Sequence, residues 1–277
     1  MQSLIKNILT SRVYEAAIET PLEDSPWLSR KFGNRVLLKR EDLQPVFSYK
    51  LRGAYNKMAH LSGDELARGV IAASAGNHAQ GVAYSARKLG IPAVIVMPVT
   101  TPEIKIAAVK ALGAEVILHG ANFSEAAIRC SAVAAERQMT FIHPFDDELV
   151  IAGQGTIGDE IMRQSSGKID AVFVPVGGGG LISGIGAYLK ELCPEIRVIA
   201  VEPMDSDAMS RSLAAGKRVT LDTVGIFADG VAVLEVGERT FEIARKVIDD
   251  VVLVDNDAIC SAIKDIFQAI RSIVEPA

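Results

Sequence analysis

The apolar positions fall in short runs, separated by Gly or polar turns and followed by amphipathic stretches of helical period. Runs at 36–38, 70–73, 93–97 and 115–118 predict strands in the first half of the chain. Helices are expected over 77–89, from Thr101-Pro102-Glu103 up to Gly113, and from Asn122 to about Gln138. Thr101 reads as a hydroxyl N-cap with Pro102 at the first helical position, and Asn122-Phe123-Ser124-Glu125 resembles a capping box. Past Gly153 the rhythm resumes with a helix over 156–164, a strand over 171–176 and a helix over 180–192. A strand over 198–202, helices over 207–215 and 240–248, a strand over 251–254 and a helix from Asp257 complete it. Strands alternating with such helices imply right-handed βαβ crossovers, hence an α/β protein with parallel sheets. The compact βα units of 70–142 suggest a small α/β domain, 59–150, inserted into a large domain built from 1–58 and 151–277.

Composition narrows the function classes. The 277 residues are 49% hydrophobic, 23% charged and only 5% aromatic, which suits Ala-rich helices over buried parallel strands. A net charge of -5 gives no electrostatic reason to expect nucleic acid or an anionic membrane as partner. No window reaches the roughly 18 apolar residues of a membrane span, and the N-terminal stretch lacks a secretory pattern. Cys130, Cys193 and Cys260 lie far apart without ligand or disulfide spacing, as in a reducing compartment, so a cytoplasmic protein is expected.

Ligands of such folds bind where loops leave the carboxyl ends of strands, and three loops there carry candidate chemistry. Lys50 stands in Ser48-Tyr49-Lys50-Leu51-Arg52-Gly53, after Lys39-Arg40-Glu41-Asp42. A lone Lys is ordinarily a solvated charge; it traps an electrophile only where its site lowers its pKa or stabilises an imine. Ser74-Ala75-Gly76-Asn77-His78-Ala79-Gln80-Gly81 follows a strand and opens a helix. Its unpaired N–H groups suit a carboxylate or phosphate, although an ordinary N-cap turn and a structural histidine explain the same residues. Gly177-Gly178-Gly179-Gly180-Leu181 is a poor helix start on stability grounds; a flexible turn explains it, but its backbone can also wrap an anion.

Two nucleotide motifs fail at this last loop. No Lys follows the glycines as a Walker loop requires, and the G-x-G-x-x-G spacing ends on Ile182 or Ser183. Glu202, ending the next strand where a ribose-binding acid would sit, keeps a dinucleotide site as the runner-up. His60, His78, His119 and His143 are scattered without a ligand partner, so no metal is expected.

Taken in order, these loops resemble the pyridoxal-phosphate dependent serine/threonine dehydratases, of the tryptophan synthase β-like fold (fold type II). The likeness covers essentially the whole chain. It includes His143-Pro144-Phe145-Asp146, Gly153-Gln154-Gly155-Thr156 and Phe227-Ala228-Asp229-Gly230-Val231-Ala232-Val233 besides the three loops. It is strongest to the biosynthetic threonine dehydratases that supply isoleucine synthesis. The resemblance implies pyridoxal phosphate bound to Lys50 as a Schiff base, Phe47 packed on its ring and Asn77 at its ring hydroxyl. It implies a phosphate held by Gly177, Gly178, Gly179, Gly180 and Leu181, and an amino-acid carboxylate received by Ser74, Ala75, Gly76 and His78. The implied reaction turns L-threonine into 2-oxobutanoate and ammonia, and serine into pyruvate, with Lys50 as base. A homo-oligomer, dimer or tetramer, is implied as well.

Departures from the family shape the expectations. Serine racemases carry a second serine at the position of Ala75 as an acid/base on the other face, so elimination is favoured over racemisation. Ala208 stands where racemase-like members have a second carboxylate of a cation site. The chain stops at Glu275-Pro276-Ala277, ahead of the Ser-Gly segment that meets the pyridine nitrogen and of the effector domain. An incomplete large domain and no feedback inhibition by isoleucine are therefore expected. The alternatives are a catabolic serine/threonine dehydratase, a racemase-like enzyme, a cofactor-binding fragment without turnover, or an interaction fragment.

Overall fold

The computed structural model describes residues 2–277. The chain opens with α1 (Gln2–Leu9) and a short antiparallel pair, β1 (Leu22–Asp24) and β2 (Leu37–Lys39), with α2 (Pro26–Phe32) between them. Helices α3 (Lys50–Ala59) and α4 (Gly63–Arg68) lead into a four-stranded parallel sheet. That sheet has the order β5-β4-β3-β6, from β3 (Val70–Ala73), β4 (Ala93–Met97), β5 (Glu115–Leu118) and β6 (Thr140–Phe141). The connections are α5 (Asn77–Leu89), α6 (Glu103–Ala111) and α7 (Phe123–Arg137).

The side-chain alternation of a strand decides which helix each face receives. Val70, Ala72, Ile95 and Met97 pack with α5, α6 and the buried face of α3. Ile71, Ala73, Val94 and Val96 turn the other way onto Ala126, Cys130 and Val133 of α7. Both faces of β3 and β4 are covered, so these strands read as unbroken apolar runs.

Helix α8 (Glu148–Gln164) then crosses to a second parallel sheet, order β7-β8-β9. Its strands are β7 (Ala171–Pro175), β8 (Arg197–Pro203) and β9 (Asp250–Val254). Around them run α9 (Gly180–Leu192), α10 (Ala208–Ala215), α11 (Glu238–Val247) and α12 (Asn256–Ile270). Val174, Val176, Val198 and Ala200 meet Ile157, Ile182, Ile185 and Phe241 in the core of this half.

Local chemistry moved several expected boundaries. Helix α8 begins at Glu148 rather than 156, because Asp147 accepts N–H bonds from Leu149 and Val150 and so caps it earlier. Thr101 is not a cap: its hydroxyl donates to the Pro98 carbonyl, and Pro102 takes the N-cap position of α6. Asn122 does cap α7 by accepting the Glu125 N–H, but the Glu125 carboxylate returns to Ala121 N–H instead of closing the box. No helix among the described residues is long and apolar enough to cross a membrane.

Candidate active site

Lys50 is the first residue of α3, so its stem leaves the helix at the end where N–H groups are unpaired. Its amine donates to the Pro144 carbonyl at 3.2 Å and lies 5.3 Å from the centre of the Tyr49 ring. Those partners are a carbonyl and an aromatic face. Just before it, Phe47 occupies the left-handed region (φ 57°) and is 78% exposed. A side chain there costs about 1–2 kcal/mol, a strain tolerated where it sets a functional residue. The flat face of Phe47 is thus free to receive another ring.

The turn that brings Pro144 to Lys50 is held by a histidine. His143 Nδ1 accepts the N–H groups of Phe145 (3.2 Å) and Asp146 (2.7 Å), and its ring stands edge-on to Phe141 and Phe145. Phe145 in turn lies on the glycine loop. A Cβ built on Gly178 would overlap the Phe145 ring, and one on Gly180 would come within 3.0 Å of Phe145 Cβ. A Cβ on Gly177 would sit 3.0 Å from the backbone of Val231. The glycines therefore let protein close on one side of the loop while the backbone stays bare on the other.

That bare side is a set of donors. Val176 N–H pairs with the Val201 carbonyl and Ser183 N–H with the Gly179 carbonyl. Between these two bonds, the N–H groups from 177 to 182 find no protein acceptor among the described residues. Successive free N–H groups at the start of α9 form an anion cradle, reinforced by the positive end of the helix. A phosphate monoester fits it.

The turn 74–78 closes the other wall. Ser74 Oγ accepts the Gly76 N–H at 3.2 Å, and Gly76, not Ser74, is the N-cap of α5. The hydroxyl therefore shapes the turn and leaves the first N–H groups of α5 for a ligand. Ala75 packs its methyl group against the core of the four-stranded sheet. Asn77 Nδ2 donates to Glu275 Oε1 at 2.5 Å, which leaves its Oδ1 as an acceptor. His78 is buried and its Nε2 donates to the Ile142 carbonyl at 2.8 Å. Burial, with the nearby Lys50 charge, pushes this imidazole down to about 3. Its side chain thus serves the fold, and its backbone is what it offers the turn.

Glu275 completes a ring. It meets Asn77, has Lys50, Lys105 and Asp229 as charged neighbours, and lies 3.7 Å from a Cβ position at Gly230. Following the contacts, Lys50 leads to Pro144 and Phe145, then to the glycine loop, Val231, Gly230, Glu275 and Asn77. Lys50, Phe47, the glycines and Asn77 were all marked in the sequence. Glu275, Asp146 and Thr240 were not given roles, since only contacts between distant segments reveal them.

Glu202 excludes the dinucleotide alternative. It is fully buried, and its two oxygens accept the N–H groups of Met209 (2.9 Å) and Ser210 (2.8 Å) to cap α10. Burial raises its carboxyl to about 7, and neither oxygen is turned to a ribose site.

Residues 13–277 match the family of pyridoxal-phosphate dependent enzymes. Among curated relatives, the chain is 59% identical over 276 residues to a biosynthetic L-threonine dehydratase of Burkholderia multivorans. It is 60% identical over 273 residues to the chloroplastic biosynthetic threonine dehydratase of Arabidopsis thaliana. The match takes in 99% of this chain in both cases, but only 54% and 46% of those proteins, so the chain spans about half their length. In structure it is similar to the processed form of threonine deaminase isoform 2 from Solanum lycopersicum. The identity is 52% and the TM-score 0.97, over 99% of this chain and 80% of that one. It is also similar to maize serine racemase, at 35% identity and a TM-score of 0.94, over 99% and 82% of the two chains. A family match over nearly all the residues, with a fold that follows these solved structures, means that this chain belongs to the pyridoxal-phosphate dependent enzymes of fold type II.

Proposed function

We propose that this chain is the catalytic part of a biosynthetic threonine dehydratase, releasing 2-oxobutanoate and ammonia from L-threonine and pyruvate from serine. The observation that carries the reading is the ring of contacts joining the Lys50 amine to the glycine-loop donors through the turn 143–146. The names of the relatives point to the same reaction. Lys50 would hold pyridoxal phosphate, Phe47 would face its ring, and Asn77 Oδ1 would accept from its ring hydroxyl. Gly177, Gly178, Gly179, Gly180 and Leu181 would bind the phosphate through N–H groups. When bound, the cofactor supplies an electron sink for negative charge at the substrate α-carbon.

The protein's own residues do the rest. The N–H groups at the start of α5, shaped by Ser74, Ala75, Gly76 and His78, receive the amino-acid carboxylate and fix which α-substituent faces Lys50. The Lys50 amine takes the proton from the α-carbon. Loss of the β-hydroxyl as water, then hydrolysis of the enamine, gives the 2-oxo acid. Ala75 offers no acid or base on the opposite face, which favours elimination over racemisation. In this reading residues 59–150 are a small domain and 1–58 with 151–277 the larger cofactor domain, with the four-stranded sheet confined to the former. Three unpaired cysteines support a reducing, cytoplasmic setting.

The test is the visible absorption of the purified protein before and after borohydride, beside a Lys50→Ala variant. We expect a yellow protein that borohydride bleaches with the cofactor fixed on Lys50, and a variant that forms no such adduct. Turnover of threonine to 2-oxobutanoate without D-serine from L-serine should accompany it. Rapid D-serine formation would favour the racemase alternative. A parent protein that stays colourless with added cofactor would mean that this chain does not hold it, and the binding or interaction readings would then lead.

A further inference from the structure

The Gly178 carbonyl accepts two hydrogen bonds from the start of α11. Thr240 Oγ1 donates at 2.6 Å and Gly237 N–H at 3.3 Å. A peptide unit is planar and trans, so a carbonyl fixed in this way fixes the Gly179 N–H in the opposite direction. That N–H lies among the free donors of the glycine loop.

Thr240 is itself fully buried and held. Its N–H donates to Asp146 Oδ1 at 3.1 Å, and its carbonyl accepts from Ser183 Oγ at 3.1 Å. The other Asp146 oxygen accepts the Glu238 N–H at 3.1 Å, so one carboxylate caps two unpaired donors of α11. Asp146 belongs to the same turn that carries Pro144 to Lys50 and Phe145 to Gly178.

We infer that Asp146 and Thr240 are positioning residues that aim the glycine-loop N–H groups at the cofactor phosphate and set that aim relative to Lys50. The inference rests on reading 177–181 as the phosphate site. Lys50 meets the aldehyde end of the cofactor and the loop meets the phosphate. Disturbing Thr240 should therefore weaken pyridoxal phosphate while sparing pyridoxal, which has the same ring and aldehyde and no phosphate.

The experiment titrates this chain with each compound, following visible absorbance, and records the phosphorus resonance of bound pyridoxal phosphate. The parent should prefer the phosphorylated ligand strongly. Thr240→Val should reduce that preference about tenfold, the worth of one buried hydrogen bond, and shift the resonance. Thr240→Ser, which keeps the hydroxyl, should restore both. Asp146→Asn, which keeps one of two acceptors, should fall between parent and Thr240→Val. An unchanged preference and resonance in Thr240→Val overturns the inference, and Asp146→Asn decides in the same way should the valine variant not fold. A parent that binds both ligands equally would instead sink the phosphate reading of the loop, and this inference with it.

Discussion

The two histidines beside Lys50 make the site sensitive to acid through the fold rather than through chemistry. His78 is buried with its Nε2–H on a carbonyl, and its folded pKa lies near 3, far below the unfolded value of about 6.5. Burial also lowers His143, whose Nδ1 must stay unprotonated to accept the two N–H groups that form its turn. Both shifts are depressions of a base. The unfolded chain therefore binds the extra protons first, and the stability these rings contribute is complete above about pH 6.5 and lost as pH falls below it. Each ring adds a slope of up to about 1.4 kcal/mol per pH unit. The midpoint of urea denaturation should drop clearly between pH 7 and pH 5. His78→Gln, which keeps a donor for the Ile142 carbonyl but cannot titrate, should flatten that drop. An identical pH slope in the variant would mean that His78 is not the group responsible.

At the level of elements, close helix packing explains both what could and what could not be read from the sequence. Strands β3, β4 and β5 and helix α5 were legible to the residue, because Val/Ile runs bounded by turns and a stripe of helical period have few other solutions. Helix α8 was read eight residues short, since Gly153 and Gly155 look like breakers. In the fold they are contact points: a Cβ on Gly153 would lie 2.7 Å from the Arg52 carbonyl of α3, and Gly155 faces Gly184 of α9. Helix α3 went unread because Arg52 and Asn56, which are buried, interrupt its apolar stripe. The chemical half of the site was legible for a related reason. Lys50 and the glycine loop are local motifs, whereas Asp146 and Thr240 acquire their meaning from bonds across 94 residues. The packing account can be tested with paired substitutions. Gly→Ala inside a helix ordinarily gains about 0.5–1 kcal/mol. At Gly184 the new Cβ would overlap the Ile151 carbonyl and stand 2.6 Å from Gly155 N, so Gly184→Ala should instead cost about 1–3 kcal/mol. Gly63→Ala in α4, with open space around its Cβ, should be neutral or slightly stabilising. Thermal unfolding of the two variants checks the difference in sign.

Across the whole molecule, one buried charge network ties the N-terminal segment to the helices between the two parallel sheets. Arg52 of α3 and Glu160 of α8 are bonded to each other with fully buried side chains. Arg52 also pairs with Glu41 at 2.7 Å, Lys39 of β2 pairs with Glu160, and Tyr14 donates its hydroxyl to Glu160 at 2.7 Å. Thr20 and Gln164 fill the remaining positions around Glu41 and Lys39. Two cations thus face two anions, and the network is neutral as a unit. Removing one member leaves an uncompensated charge where water cannot reach it, at a cost of about 3–5 kcal/mol, although the intact network need not stabilise the fold relative to an apolar core. Arg52→Met should therefore cost about that much, and Glu160→Gln a comparable amount by stranding a cation. The double variant restores neutrality, with Lys39 and Glu41 left as one pair of opposite sign. Its loss should be well below the sum of the two single losses, a coupling of about 1–3 kcal/mol. Urea unfolding of the parent, both single variants and the double variant measures this directly. Additive losses would show that each group acts alone, and that the N-terminal segment is held by apolar contacts rather than by the balance of these charges.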